Sequence, residues 1–207
     1  MVATVIPSSG AGSLERAIAD LEAGNIVAIP TETVYGLAVL PDEVHLRRLI
    51  AAKRRSADKG VALLVDSIEQ ARSIARMTPA AESLAARFWP GALTLVVTQR
   101  TDRPLPDLLT GGRPTIGVRL PDHDTPRELA RRLGPIAVSS ANVSGEADAT
   151  TAAQVVATLG DVVALVLDDG PVRGGVPSSV VHCPESGGVD ILRVGAISED
   201  EIRAAAK

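Results

Sequence analysis

The sequence of 207 residues is poor in cysteine and in long apolar runs, and these shortages exclude several classes of protein. Cys183 is the only cysteine, which excludes an internal disulfide framework and a cysteine-based zinc site. No apolar run approaches the ~18 residues that span a bilayer. Residues 1–12 lack the basic and apolar regions of a secretory signal. We therefore expect a soluble cytoplasmic protein with no membrane partner.

The common sequence signatures of catalysis are also missing. The chain has no G-x-x-x-x-G-K-[ST] phosphate loop, no G-x-G-x-x-G after a strand, no H-E-x-x-H and no G-x-S-x-G. Its histidines, His45, His123 and His182, are scattered, and a lone histidine is more often a surface or satisfied residue than a catalytic one. The net charge of -4 argues against broad, nonspecific binding to nucleic acids.

The hydrophobic pattern predicts one α/β domain over residues 1–207, because short β-branched segments alternate with amphipathic helical patterns. The predicted strands are residues 2–6, 26–29, 61–65, 93–98, 115–120, 135–139 and 162–167, followed by a hairpin of 179–183 and 190–193. The predicted helices cover 14–21, 42–53, 67–77 and 79–88, and three more follow the predicted N-caps Thr125, Thr151 and Ser198. Residues 100–114 are predicted to form a polar loop.

Polar clusters lie at the ends of the predicted strands, where α/β sheets tend to bind ligands. The first is PTETVYGL at 30–37, which holds the only tyrosine; its alternative interpretation is an ordinary strand-to-helix loop. The second is KRRSADK at 53–59, whose four basic residues and one acidic residue give a net charge of +3. This second cluster predicts a polyanion clamp, or else a group of cations favoured by the dipole of the preceding helix.

Three further clusters follow along the chain. Arg119 lies in the strand segment TIGVRLP at 115–121, so it needs an anion partner if its face is covered, or it is a solvent-facing edge residue. The hydroxyls and amide of VSSANVSG at 138–145 suit phosphate or ribose. The last cluster is PSSV at 177–180, with Arg193 on the neighbouring hairpin arm. Together the five clusters indicate a site for a nucleotide and a small polar ligand.

These segments, taken in order, resemble the YrdC-like family, whose members include threonylcarbamoyl-AMP synthases. The matching motifs are PTETVYGL at 30–37, K-x-R at 53–55, WPGALT at 89–94, GVRLP at 117–121, SSANVSG at 139–145, SS at 178–179 and LRVG at 192–195. The resemblance implies a single-domain α/β fold. Its twisted sheet would mix parallel and antiparallel strands, carry flanking helices and have a concave basic surface.

The resemblance also implies a nucleotidyltransferase that converts L-threonine, bicarbonate or CO₂, and ATP into threonylcarbamoyl-AMP and pyrophosphate. This is the first step of threonylcarbamoyladenosine formation in tRNA, and downstream proteins would use the product. Mg²⁺ would enter with ATP, and no protein metal site is expected. Thr33, Arg119, Val138 and Ser178 would surround threonine. The residues expected at the nucleotide are Lys53, Arg55, Lys59, Thr115, Ser140 and Arg193, of which Lys53 and Arg55 are the predicted catalytic pair.

Some positions depart from the family pattern. Ser56 and Gly60 stand where relatives usually have proline, and Leu64 stands where many synthases have histidine. Asp148 occupies a position that often carries serine. These departures leave an alternative open, namely a YciO-like paralogue that binds RNA or nucleotides with weak or no synthase activity. A carbamoyl-phosphate-using domain is a third interpretation, although such relatives usually belong to much longer chains.

Overall fold

The apolar segments of the chain pair into one mixed sheet in the computed structural model, which describes residues 3–206. Eleven strands form this sheet within the described residues. They are β1 (Thr4–Pro7), β2 (Val27–Ile29), β3 (Gly36–Val39), β4 (Ala62–Leu64), β5 (Ala75–Arg76), β6 (Leu93–Gln99), β7 (Thr115–Arg119), β8 (Ile136–Ser140), β9 (Leu165–Asp168), β10 (Ser179–His182) and β11 (Asp190–Arg193). Residue 2, the predicted start of the first strand, lies outside the described residues.

Helices occupy most of the connections between the strands. They are α1 (Ser13–Glu22), α2 (Glu43–Ala52), α3 (Ile68–Ile74), α4 (Pro79–Phe88), α5 (Asp107–Thr110), α6 (Asp124–Leu133), α7 (Ala152–Leu159) and α8 (Glu199–Ala205). The predicted capping boxes of Thr151 with Gln154 and of Ser198 with Glu201 are confirmed, since both hydrogen bonds of each are present. Between residues 3 and 206, no helix combines the length and apolar character needed to cross a bilayer.

The sheet mixes parallel and antiparallel neighbours, which confirms the predicted fold class. Its strand order is β1-β9-β2-β3-β8-β4-β7-β6-β10-β11, and β5 pairs with the end of β6. β1, β9 and β2 are parallel, as are β4 with β7 and β6 with β10. The other neighbours are antiparallel, including the predicted hairpin of β10 and β11. This order places β4, β7, β6 and β10 side by side, although they are far apart in sequence.

The two faces of the sheet are covered to different extents. One face packs against α2, α3, α4, α5, α7 and α8 in the larger core cluster. The opposite face packs against α1 and α6, and the strands that contribute to that smaller cluster are β2, β3, β4, β8 and β9. β6, β7 and β10 add no residue to the smaller cluster. The side chains that these three strands direct to this second face are therefore available for a site.

The strand β3 is absent from the prediction, in which residues 30–37 are a polar cluster for ligand binding or, alternatively, a strand-to-helix loop. The segment begins at Gly36 and contains Ala38, two residue types with weak strand propensity. It forms a strand because β2 pairs with one side of it and β8 with the other. All four residues of β3 are buried, so tertiary pairing outweighs local preference here.

Several predicted boundaries differ from those in the structure. Helix α3 ends at Ile74 rather than at 77, because residues 75 and 76 pair with β6 instead. Helix α6 begins after His123 and not after Thr125, since the His123 ring accepts a hydrogen bond from the Thr125 amide. The short helix α5 lies within the predicted loop at 100–114. Strand β9 begins at Leu165 rather than at 162.

We predict that Val97→Ala destabilises the fold by about 2 kcal/mol or more, because it removes two buried methyl groups and leaves a cavity. Val97 is 0% exposed on β6. The matched control is Val44→Ala on α2, where the valine is 62% exposed and the expected change is within about 0.5 kcal/mol. Urea denaturation of both variants measures the difference. Equal stabilities would contradict the placement of β6 in the core.

Candidate active site

A cavity of about 740 Å³ lies against the second face of β6, β7 and β10, beside β4 and β8. The alternation of side chains along β7 builds its floor, because successive residues of a strand point to opposite faces. Ile116 and Val118 belong to the core, whereas Thr115, Gly117 and Arg119 line the cavity. One short strand therefore serves the core with one face and the cavity with the other.

Arginine side chains dominate the charge of this cavity. Arg55, Arg113, Arg119 and Arg193 line it, and no carboxylate side chain from residues 3–206 does so. Guanidinium groups bind carboxylates and phosphates through paired, charge-assisted hydrogen bonds. The lining therefore favours an anionic ligand.

Arg119 is the most constrained of these arginines and is only 7% exposed. Its Nε donates to the Gly91 carbonyl oxygen at 3.1 Å, and its Nη2 donates to Glu32 Oε1 at 2.7 Å and to Thr33 Oγ1 at 3.0 Å. The interpretation of Arg119 as a solvent-facing edge residue is wrong. The anion partner that its burial requires is the Glu32 carboxylate, which was not among the expected site residues.

Ser178 and Arg193 meet on the side of the cavity formed by β10 and β11. Ser178 Oγ lies 2.9 Å from Thr94 Oγ1, and Arg193 Nη2 donates to the Ser178 carbonyl oxygen at 2.8 Å. Burial lowers the pKa of Arg193, and the charge of Asp148 opposes that shift. The structure therefore brings Ser178 and Arg193 together at the cavity, with Asp148 close enough to affect the charge of Arg193.

Lys53 lies behind the cavity wall. It caps the C-terminus of α2, is 1% exposed and does not appear among the residues that line the cavity. Its Nζ donates to the carbonyl oxygen of Asn142 at 2.8 Å, to Asn142 Oδ1 at 3.0 Å and to the carbonyl oxygen of Ser140. Ser140 Oγ in turn donates to Asn142 Oδ1 at 2.6 Å. Lys53 thus holds the loop after β8, and Ser140 carries that loop into the cavity wall.

The other predicted nucleotide residues are placed differently from one another. Arg55 lines the cavity while its Nε donates to the Lys59 carbonyl oxygen at 3.0 Å and its Nη2 to the Gly60 carbonyl oxygen at 2.9 Å. Burial, assisted by the charge of Arg193, lowers the pKa of Arg55. Thr115 lines the cavity, whereas the exposed Lys59 does not.

The residues predicted to bind threonine lie around Arg119. Thr33 is buried against it, while Val138 and Ser178 line the cavity nearby. Two of the departures from the family pattern, Gly60 and Leu64, also line the cavity. A Cβ atom at Gly60 would lie 2.8 Å from the carbonyl oxygen of residue 109, so this close approach requires glycine. Another departure, Ser56, is exposed.

Sequence reasoning assigned no role to several residues that the fold brings to the site. Thr94 and Arg113 line the cavity. The Asn142 amide, which the sequence suggested for phosphate or ribose, instead accepts a hydrogen bond from Lys53 Nζ and is outside the cavity lining. His182, interpreted from the sequence as a surface or satisfied residue, also lines it. The alternation of apolar and polar residues at 93–95 is a signal that could have identified Thr94. Glu32 stands beside Thr33 in the first polar cluster, but the sequence does not indicate that Glu32 forms an ion pair with Arg119.

We predict that Lys53 titrates at an unusually low pH. Burial, assisted by the charge of Arg55, lowers its pKa from 10.5 to about 8. Because folding lowers this pKa, the charged ammonium destabilises the fold below about pH 8. This destabilisation disappears as the pH rises from about 8 towards 10.5, the pKa of the lysine in the unfolded chain.

The measurement is a titration of the Cε signals by nuclear magnetic resonance in protein labelled with ¹³C-lysine. The chain has only Lys53, Lys59 and Lys207, so the variant Lys59→Arg serves as both assignment and control. A Lys53 signal that titrates at the ordinary pKa of a lysine would contradict this environment.

Both the sequence and the fold of this chain match known proteins. The Sua5/YciO/YrdC family model, described as "Telomere recombination", matches residues 19–195. The threonylcarbamoyl-AMP synthase of Pyrococcus abyssi is 41% identical over 86% of this chain and 53% of that protein. The corresponding Bacillus subtilis protein is 37% identical over 92% of this chain and 56% of its own length. The chain therefore spans about half the length of these two relatives.

A shorter relative and two solved structures extend the comparison. A putative threonylcarbamoyl-AMP synthase of Mycobacterium tuberculosis is 37% identical over 95% of this chain and 90% of its own length. The structure of P. abyssi Sua5 complexed with L-threonine superposes with a TM-score of 0.89 and 34% identity, covering 99% of this chain and 61% of that one. Escherichia coli YciO, at 19% identity and a TM-score of 0.83, covers 97% of this chain and 98% of that one and shares the fold. On this evidence the chain belongs to the Sua5/YciO/YrdC family.

Proposed function

We propose that the chain is a nucleotidyltransferase that forms threonylcarbamoyl-AMP and pyrophosphate from L-threonine, bicarbonate or CO₂, and ATP. The relatives named threonylcarbamoyl-AMP synthase and the threonine complex of P. abyssi Sua5 support this reaction. The observation that carries it is the arginine-lined cavity without a carboxylate side chain from the described residues. Both ATP and the threonine carboxylate are anions that such a lining would neutralise.

The threonine site in this proposal centres on Arg119. Its Nε and Nη2 have protein acceptors, whereas its Nη1 has none among residues 3–206. Because Arg119 lines the cavity, Nη1 can donate to the carboxylate of the amino acid. The Thr33 hydroxyl, which accepts from Nη2, lies beside this position, and Ser178 and Val138 would complete the threonine site from the lining of the same cavity.

The nucleotide in this proposal occupies the rest of the basic cavity. Arg55 and Arg193 would contact its phosphates, and Thr115 and Ser140 would contact its other parts. Lys53 would act through the loop it holds and add its charge from behind the wall. A direct contact of Lys59 with the phosphates stays a prediction, because this side chain is exposed and outside the cavity lining.

The proposed reaction needs no covalent intermediate on the protein. The threonine amine adds to CO₂ and loses a proton to give a carbamate. A carbamate oxygen then attacks the α-phosphorus, and the bond from that phosphorus to the oxygen of pyrophosphate breaks. Arginine side chains that hold both anions would supply positioning and charge neutralisation, which are the main sources of rate in phosphoryl-type transfers.

Mg²⁺ enters this proposal as part of the ATP substrate. Within residues 3–206 no group of three or more His, Cys, Asp or Glu is arranged to hold a metal ion. The phosphates of ATP would therefore carry it. The cytoplasmic location and the transfer of the product to downstream tRNA-modifying proteins are further parts of the proposal.

The direct test is pyrophosphate release by the purified chain with ATP and Mg²⁺. We expect release only when threonine and bicarbonate are both present, because the carbamate must form before the α-phosphorus is attacked. Reactions that omit one co-substrate are the controls. Absence of release, together with salt-sensitive RNA binding in the absence of ATP, would favour the YciO-like alternative.

We predict that Arg119→Ala raises the KM for threonine at least about tenfold, because a charge-assisted hydrogen bond to the carboxylate is lost. ATP binding, measured by calorimetry, should be largely retained. The matched control is Arg72→Ala, which removes an exposed arginine paired with Glu82 outside the cavity. A normal threonine KM in Arg119→Ala would contradict the carboxylate assignment.

A further inference from the structure

Glu32 forms a buried ion pair with Arg119 outside the lining of the main cavity. Its side chain is 12% exposed, and Oε1 accepts from Arg119 Nη2 at 2.7 Å. Its other oxygen, Oε2, is buried without a hydrogen-bond partner within residues 3–206. Glu32 does not line the arginine-rich cavity but does line a small neighbouring one. The carboxylate therefore reaches the site only through Arg119.

The loop that carries Glu32 is held by other contacts. The Gly174 amide donates to the Glu32 carbonyl oxygen at 3.0 Å, and the Gly175 amide donates to the Thr33 carbonyl oxygen at 2.9 Å. Thr31 Oγ1 also donates to the Val34 carbonyl oxygen at 2.6 Å. None of these bonds uses the Glu32 side chain. The carboxylate is thus not needed to hold the loop backbone in place.

A carboxylate in this environment is costly to bury. Desolvation of a charged group is compensated only by good ion-pair geometry and by full hydrogen bonding, and Oε2 lacks a partner. The ion pair with Arg119 offsets part of this cost. That guanidinium shares the cavity lining with Arg55 and Arg193, whose charges repel it.

We propose that Glu32 is a positioning residue that fixes the plane of the Arg119 guanidinium, so that Nη1 faces the threonine carboxylate. The role in threonine binding rests on the proposed function. Three acceptors, Glu32 Oε1, Thr33 Oγ1 and the Gly91 carbonyl oxygen, hold Nε and Nη2 from two directions. Of the three, only Glu32 carries a charge, so it both orients the cation and offsets its repulsion from the other arginines.

The first test follows Arg119 itself and requires no activity. The Nε–H signal of Arg119 is assigned in ¹⁵N-labelled protein by its loss in Arg119→Lys, and its hydrogen exchange is measured. Wild-type protein should exchange slowly and Glu32→Gln faster, because a neutral amide holds the guanidinium less firmly. The matched control is Glu82→Gln, which weakens the exposed pair with Arg72. Equal exchange in wild type and Glu32→Gln would overturn the proposal.

The second test is a double-mutant cycle on the KM for threonine. Glu32→Ala should raise this KM about tenfold in the wild-type background and have no further effect in Arg119→Ala, since a positioning residue acts only through its partner. Glu32→Gln should have an intermediate effect, and the KM for ATP should not change. Because Gln is nearly isosteric, it carries the test if Glu32→Ala does not fold. An additional loss in the Arg119→Ala background would mean that Glu32 contacts the substrate and would overturn the proposal.

The two tests separate this inference from the proposed function. If wild-type protein shows no threonine-dependent pyrophosphate release, the proposed function fails. Faster exchange of the Arg119 Nε–H in Glu32→Gln would in that case still support the inference that Glu32 orients the guanidinium. If pyrophosphate release is normal but the Arg119 Nε–H exchanges equally fast in wild type and Glu32→Gln, the proposed function stands and the positioning role is wrong.

Discussion

Burying a guanidinium at the end of a central strand requires a set of acceptors around it, and this requirement organises the whole site. Arg119 needs an anion and finds it in Glu32, which follows β2, while its remaining acceptors come from Thr33 and from the carbonyl oxygen of Gly91. These partners lie far from Arg119 in sequence. The Arg119 side chain therefore connects the end of β7 to the loop after β2 and to the segment before β6.

The unequal coverage of the sheet determines where such a cation can act. Helices α1 and α6 cover one part of the second face and leave the side chains of β6, β7 and β10 to line the cavity. Strand periodicity then places Thr94, Gly117 and Arg119 in the cavity wall and their neighbours in the core. Stability and ligand binding use opposite faces of the same strands, so a change on one face can leave the other intact.

Lys53 shows a second use of a buried cation. Its ammonium is surrounded by oxygen atoms of the loop after β8, and burial lowers its pKa to about 8. The two basic residues of the K-x-R motif thus have different roles, since Lys53 holds the loop behind the cavity wall and Arg55 lines the cavity. That division does not follow from the spacing of the two residues, because it depends on which side of the α2 terminus each one faces.

The α/β class, most helices and strands, and the residues of the polar clusters are predictable from the sequence alone, because hydrophobic periodicity and capping are local properties. For Arg119 the sequence left two interpretations, a cation that needs an anion partner or a solvent-facing edge residue, because strand periodicity gives the face on which a side chain lies but not whether that face is covered. Three features became visible only in the folded chain: β3 is a strand, His123 rather than Thr125 caps α6, and Glu32 pairs with Arg119. Each of these features depends on a partner distant in sequence or on the local backbone path, which composition and spacing do not encode.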